Sequence, residues 1–122
     1  DYVKIKSLGK TIGLQPLERA VYSTFLDAGP DGIRYADIED HFNQLLDAYG
    51  NRYTGSDPQE ITRTVRKLCD NSDTQELRTT ISNIKKAFIT SLGHELADFY
   101  YVSGERNKAK KIKLPRRLLN RD

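Results

Sequence analysis

The chain contains no methionine, no tryptophan and a single cysteine in 122 residues. Without a methionine at its start, Asp1 is not expected to be the translated first residue, and the segment is expected to belong to a longer chain. One cysteine excludes an internal disulfide. The helical spacing of Cys69 from Val65 predicts a buried structural thiol, which favours a reducing compartment. No apolar run approaches the roughly 18 residues needed to cross a bilayer. No signal-peptide pattern opens the sequence. A cytoplasmic location, with no membrane contact in this segment, is therefore the expectation. Histidine is also scarce: only His41 and His94 occur, neither in a metal or nucleophile motif. Asp37, Asp40 and His41 read as one acidic helix face rather than as a ligand set. A phosphate-cradling glycine loop, a nucleophile elbow and an HExxH motif are all missing. These absences predict no catalytic residue, no metal and no cofactor, so an enzyme is not expected.

What is present is charge, unevenly placed. The net charge is only +3. Residues 1–57 nevertheless carry six Lys/Arg against nine Asp/Glu, and residues 58–122 carry fourteen against eight. From Arg106 to Arg121 there are eight cations and no acid. Phosphate binding depends on such a local field more than on the total.

Taken in order, the chain reads as follows. Tyr2–Lys6 and Thr11–Leu14 read as two strands joined by a turn at Gly9–Lys10. Pro16 suits the first position of a helix to about Ala28, with Leu17, Val21 and Phe25 as its apolar stripe. Gly29-Pro30-Asp31-Gly32 stops that helix, and Ile33–Arg34 can add a short strand. A second helix is predicted over about Tyr35–Tyr49. It buries Ile38, Phe42, Leu45 and Tyr49, and turns Asp37, Glu39, Asp40 and Asp47 outward. Gly50–Asp57 reads as a loop. Asp57, Pro58 and Glu60 then start an additional helix to about Leu68. A long helix follows from Gln75 to Leu92, with Leu77, Ile81, Ile84, Phe88 and Leu92 at helical spacing and Gly93 as its stop. Phe99–Val102 and Ile112–Leu114 read as a closing hairpin with a basic tip. The tail Arg116–Asp122 is basic, with Leu118–Leu119 as a possible anchor. Helices joined by tight turns and followed by a hairpin have the order of a winged helix-turn-helix.

The run from Ile5 to Ile38, IKSLGKTIGLQPLERAVYSTFLDAGPDGIRYADI, resembles the opening of the winged-helix effector domains of OmpR/PhoB-type response regulators. Gly9-Lys10-Thr11-Ile12-Gly13-Leu14-Gln15-Pro16-Leu17-Glu18 is similar to the family's strand-to-helix junction, with Gln15 in place of the usual threonine. In the long helix, Leu77, Ile81, Ile84, Lys85 and Phe88 fall at positions comparable to those of the family's recognition helix. Two features depart from the family pattern: the extra helix opened by Pro58, and the sequence Tyr101–Arg106 in place of a glycine-rich wing. The resemblance, taken together with the order of elements, implies an α+β fold over residues 1–122: a winged helix-turn-helix with an N-terminal β-hairpin, one inserted helix and a C-terminal β-hairpin wing, the inserted helix being read from the Pro58–Leu68 pattern and not from the family. It also implies a role as a transcriptional regulator. No receiver domain lies within the segment, so phosphorylation-dependent control is not carried over.

The expected function is binding of double-stranded DNA. Arg78, Thr79, Asn83 and Lys86 lie on the polar face of the long helix, where arginine and asparagine suit guanine and adenine edges. The same face can also be an ordinary solvated one. Arg106, Lys108, Lys110, Lys111 and Lys113, crowded into eight residues, and then Arg116 and Arg117, are expected to hold phosphates. Guarding an exposed edge strand would need fewer cations. Alternation places Lys111 and Lys113 on one face and turns Ile112 and Leu114 to the core. Of Tyr100 and Tyr101, one is expected in the core and the other at the surface. The competing function is a protein-interaction module. A protein partner or a homodimer could then use the acidic second helix and Tyr22, Tyr35, Tyr49 and Tyr53.

Overall fold

A computed structural model describes residues 2–5, 10–52, 57–70, 72–113 and 119–121. The fold is α+β and mostly helical. Strands β1 (Tyr2–Ile5) and β2 (Lys10–Gly13) are followed by helices α1 (Pro16–Ala28), α2 (Phe42–Arg52), α3 (Pro58–Leu68), α4 (Gln75–Leu92) and α5 (His94–Ala97). Strands β3 (Val102–Ser103), β4 (Lys111–Ile112) and β5 (Leu119–Arg121) complete the order. The turn expected at Gly9–Lys10 begins outside the described residues, as do Tyr53, Leu114, Arg116, Arg117 and Leu118.

The helix boundaries follow local chemistry. Pro16 opens α1, and the Glu18 carboxylate accepts a hydrogen bond from the Gln15 backbone N–H at 3.0 Å, fixing the first turn. Asp57 opens α3 by accepting from the Gln59 N–H at 3.0 Å. The second helical region is not one regular helix. Tyr35–His41 is wound as a 3-10 helix, and only from Phe42 does it relax to α geometry. It also runs on to Arg52, past the loop start expected at Gly50. After Gly93 the chain makes one further turn, α5, and the strand expected over Phe99–Val102 begins only at Val102.

One contiguous core joins these elements. Ile5 and Ile12 from the sheet, with Leu14 just after β2, meet Val21, Tyr22 and Phe25 of α1 and Leu77, Ile81, Ile84 and Phe88 of α4. Ile38, Leu45, Val65 and Leu68 close it from the far side. Burying side chains of this size stabilises the fold by about 1.5–3 kcal/mol each before entropy is counted. An aromatic column ties α1 to the segment before β3: the rings of Tyr22 and Phe88 lie 5.2 Å apart, and those of Phe88 and Tyr100 stack at 6.3 Å. The Tyr22 hydroxyl donates to the Tyr100 carbonyl at 2.7 Å, so the buried phenol keeps a partner. Tyr100 is accordingly core, and Tyr101 is half-buried.

Two small antiparallel sheets flank the helices. β1 lies between β2 and β5, with Val3 opposite Ile12 on one side and Arg121 on the other. The pairing of β5 goes beyond what Leu118–Leu119 signal in the sequence, which is no more than a possible anchor. The second sheet is the β3–β4 hairpin, with Val102 opposite Ile112. Ile33 adds an isolated bridge to Lys110, which fastens the segment before the 3-10 helix to the hairpin.

Candidate nucleic-acid interface

Helix α4 supplies the first half of the site. The Asp73 carboxylate accepts from the Gln75 N–H at 3.0 Å and starts the helix; Gly93, at φ 82°, ends it. Leu77, Thr80, Ile81, Ile84 and Phe88 are buried, and this fixes the outward direction of the opposite face. Arg78, Thr79, Ser82, Asn83 and Lys86 are all exposed and line a shallow depression together with Gln75. Gln75 bonds to the Thr79 hydroxyl at 3.3 Å, and Arg78 to the Gln75 amide oxygen at 3.4 Å. These long contacts hold the cluster loosely.

The hairpin supplies the second half. Arg106 and Lys108 stand exposed in its turn, where Asn107 takes a positive φ of 64°. Lys111 is exposed on β4. Lys113 is exposed too, but its ammonium is paired with the Asp98 carboxylate. Asp98 also accepts from the Tyr101 hydroxyl at 3.0 Å. The Lys113 ammonium and the Tyr101 hydroxyl hold the Asp98 carboxyl below the usual carboxylate range.

Lys110 departs from expectation. Expected to hold phosphate at the surface, it is instead 9% exposed. Its ammonium donates to the carbonyls of Gly104 and Glu105 and lies 5.4 Å from the centre of the Tyr35 ring. It is therefore a strut inside the hairpin. The alternation that turns Ile112 inward applies equally to the residue two positions earlier.

Between the start of α4, the start of the 3-10 helix and the hairpin lies a groove of about 800 Å³. Arg34, Arg78, Lys85, Arg106, Lys108 and Lys110 line it, and no carboxylate among the described residues does. Tyr35 and Tyr101 contribute to its walls. Each ring has a lysine over it, Lys110 on Tyr35 and Lys85 on Tyr101 at 5.3 Å. Burial pushes the Tyr35 phenol up, and the nearby Arg78 opposes that shift. Six cations around one concavity whose described lining holds no counter-charge make a field that concentrates anions.

Of the residues singled out from sequence, the structure brings Arg78, Arg106, Lys108 and Lys110 into this groove. Thr79, Asn83 and Lys86 lie in the adjoining depression, and Arg78 lines both. Lys111 and Lys113 line neither, and Arg116 and Arg117 fall outside the described residues. Arg34 and Lys85 were not among the predicted site residues. Lys85 is visible in the sequence on the polar side of the α4 stripe, whereas Arg34 reaches the hairpin through the tertiary contacts of its neighbours, the Ile33–Lys110 bridge and the Tyr35–Lys110 contact.

Among the described residues, no group of three or more His, Cys, Asp or Glu is placed to hold a metal. Nor is any helix among them long and apolar enough to cross a membrane. No protein-family model, curated protein or solved structure matches this chain.

Proposed function

We propose that the chain binds double-stranded DNA as a winged helix, with α4 in the major groove and the β3–β4 hairpin as the wing on a neighbouring phosphate run. In this reading α3 is the inserted helix, and the Ile33–Lys110 bridge is the short third strand that fastens the wing to the helices. The observation that carries the proposal is the continuity of the basic groove with the exposed face of α4 through Arg78. Arg106 and Lys108 take phosphates, which positions the protein without reading sequence. Asn83 and Arg78 take base edges. A regulatory role in transcription, of the kind the OmpR/PhoB resemblance implies, and a cytoplasmic location are parts of the same proposal.

Titration onto random duplex DNA at low and moderate salt tests this reading. Binding with a steep salt dependence is expected, and Arg106→Ala with Lys108→Ala should reduce the logarithmic slope by about two. Asn83→Ala should relax discrimination between sequences about tenfold with little loss of overall affinity. Absence of binding at low salt overturns the proposal.

A second reading, a protein-interaction module, is favoured by one observation. Phe99 is 51% exposed and Leu96 38% exposed, neighbouring large apolar side chains on the α5–β3 segment. If duplex binding fails while Phe99→Ser abolishes self-association or partner capture, that reading replaces the first.

A further inference from the structure

The basic groove has properties that contact with a duplex does not require. Its volume of about 800 Å³ falls within the range of small-ligand sites. Cations reach it from four separate stretches: Arg34 ahead of the 3-10 helix, Arg78 and Lys85 on α4, Arg106 and Lys108 in the hairpin turn, and Lys110 at its base. Three of the six are guanidinium groups, whose planar forks suit the oxygens of phosphate. The tyrosine rings that could stack on a base already have lysine ammoniums over them. Lys110 is further committed to two backbone carbonyls. Arg34, Arg78, Arg106, Lys108 and Lys85 therefore supply the charge, and the site offers phosphate recognition rather than base stacking.

We infer that this groove is a binding site for a compact oligophosphate, such as inorganic triphosphate or the triphosphate moiety of a nucleotide. The ligand bridges the hairpin turn to the start of α4 and neutralises cations that otherwise repel one another across the groove. Binding of the oligophosphate stands independently of the DNA-binding reading. Its regulatory consequence rests on that reading: because Arg78, Arg106 and Lys108 serve both ligands, an occupied groove competes with duplex for the wing and the first turns of α4.

Calorimetric titration of the intact chain with inorganic triphosphate, at moderate salt and constant ionic strength, tests the inference. Saturable one-to-one binding is expected, with Arg34→Ala plus Arg106→Ala weakening it at least tenfold. Asn83→Ala plus Lys86→Ala, in the depression outside the groove, should leave it within twofold. Circular dichroism of both double variants confirms that each retains the fold, and Arg34→Lys plus Arg106→Lys, which keeps the charge but removes the forks, should give an intermediate loss. ATP should bind within a few-fold of triphosphate, since the phosphates alone are read. Binding no tighter than that of sulfate, equal loss in both double variants, or ATP binding more than tenfold tighter than triphosphate would each overturn the inference. A duplex titration run in parallel separates the two proposals. Triphosphate binding without duplex binding leaves this inference standing and removes the DNA reading, whereas duplex binding without triphosphate binding does the reverse.

Discussion

Ile33 and Lys110 are joined by a reciprocal pair of backbone hydrogen bonds, 2.9 Å from the Ile33 N–H to the Lys110 carbonyl and 2.8 Å in the opposite direction. This pair brings the hairpin against Gly32, whose φ is 68°. A Cβ at Gly32 would sit 2.3 Å from the Lys110 carbonyl oxygen, so neither the conformation nor the space admits a side chain. Gly32→Ala is expected to destabilise the protein by about 2–4 kcal/mol, combining backbone strain with the clash. Urea denaturation checks this. A change below about 0.5 kcal/mol would mean that the bridge is not held as described.

Lys110 and Lys108 should separate cleanly in experiment although they are only two positions apart. Lys110→Met removes the charged donor from the Gly104 and Glu105 carbonyls, and a loss of about 2 kcal/mol is expected. Lys108→Ala, at an exposed turn position, should change stability by less than about 0.5 kcal/mol. Under the DNA proposal, Lys108→Ala is the variant that weakens duplex binding, and its salt dependence should become shallower by one phosphate's share. Paired unfolding and binding measurements on the two variants distinguish a strut from a ligand-binding group.

How far the sequence reveals the site differs from residue to residue, and Lys110 shows why. The helices are marked by strong local signals: proline at 16 and 58, glycine at 93, and the Leu77–Ile81–Ile84–Phe88 stripe. Those signals act within a turn or two, so a single chain suffices to read them. The groove has no local signature, because Arg34, Lys85 and Arg106 are far apart in sequence and meet through tertiary contacts such as the Ile33 bridge. Counting cations locates the basic stretch without separating Lys110, which is enclosed by backbone, from Lys108, which is exposed to solvent. The pairing of β5 with β1 depends on three residues, too short for alternation to register.

Asp98 withholds charge from the basic side by pairing with Lys113. Asp98→Asn leaves a hydrogen-bonding side chain for Tyr101 while freeing the ammonium. Under the DNA proposal, duplex affinity at low salt should therefore rise a few-fold, and the difference should vanish as salt is raised. Lys113→Ala leaves the Asp98 carboxylate without its counter-ion and lowers the local charge by one, so it should weaken duplex binding by a comparable factor.

Stability should fall in alkali. Burial pushes the Cys69 thiol up from its ordinary 9.0 to about 11, with the Glu39 carboxylate adding to the shift. Burial raises the Tyr22 phenol as well, reinforced by Tyr100. A group whose pKa is raised by folding releases its proton more readily from the unfolded chain, where cysteine and tyrosine ionise near 9 and 10. The stabilisation is thus complete below pH about 9 and is lost as pH climbs through the folded values. Urea midpoints measured from pH 8 to 11 should decline. Tyr22→Phe, which costs about 1 kcal/mol at pH 7 by leaving the Tyr100 carbonyl without its donor, should decline less steeply.

The antiparallel register that sets Val3 opposite Arg121 and Ile5 opposite Leu119 brings the start of β1 and the finish of β5 to the same end of their sheet. Tension applied through those two ends would peel the strands apart one residue pair at a time, instead of shearing all their hydrogen bonds at once. The fold is in this respect built as a zipper: closed by its core against solvent, and mechanically soft along the axis on which its first and last strands are joined.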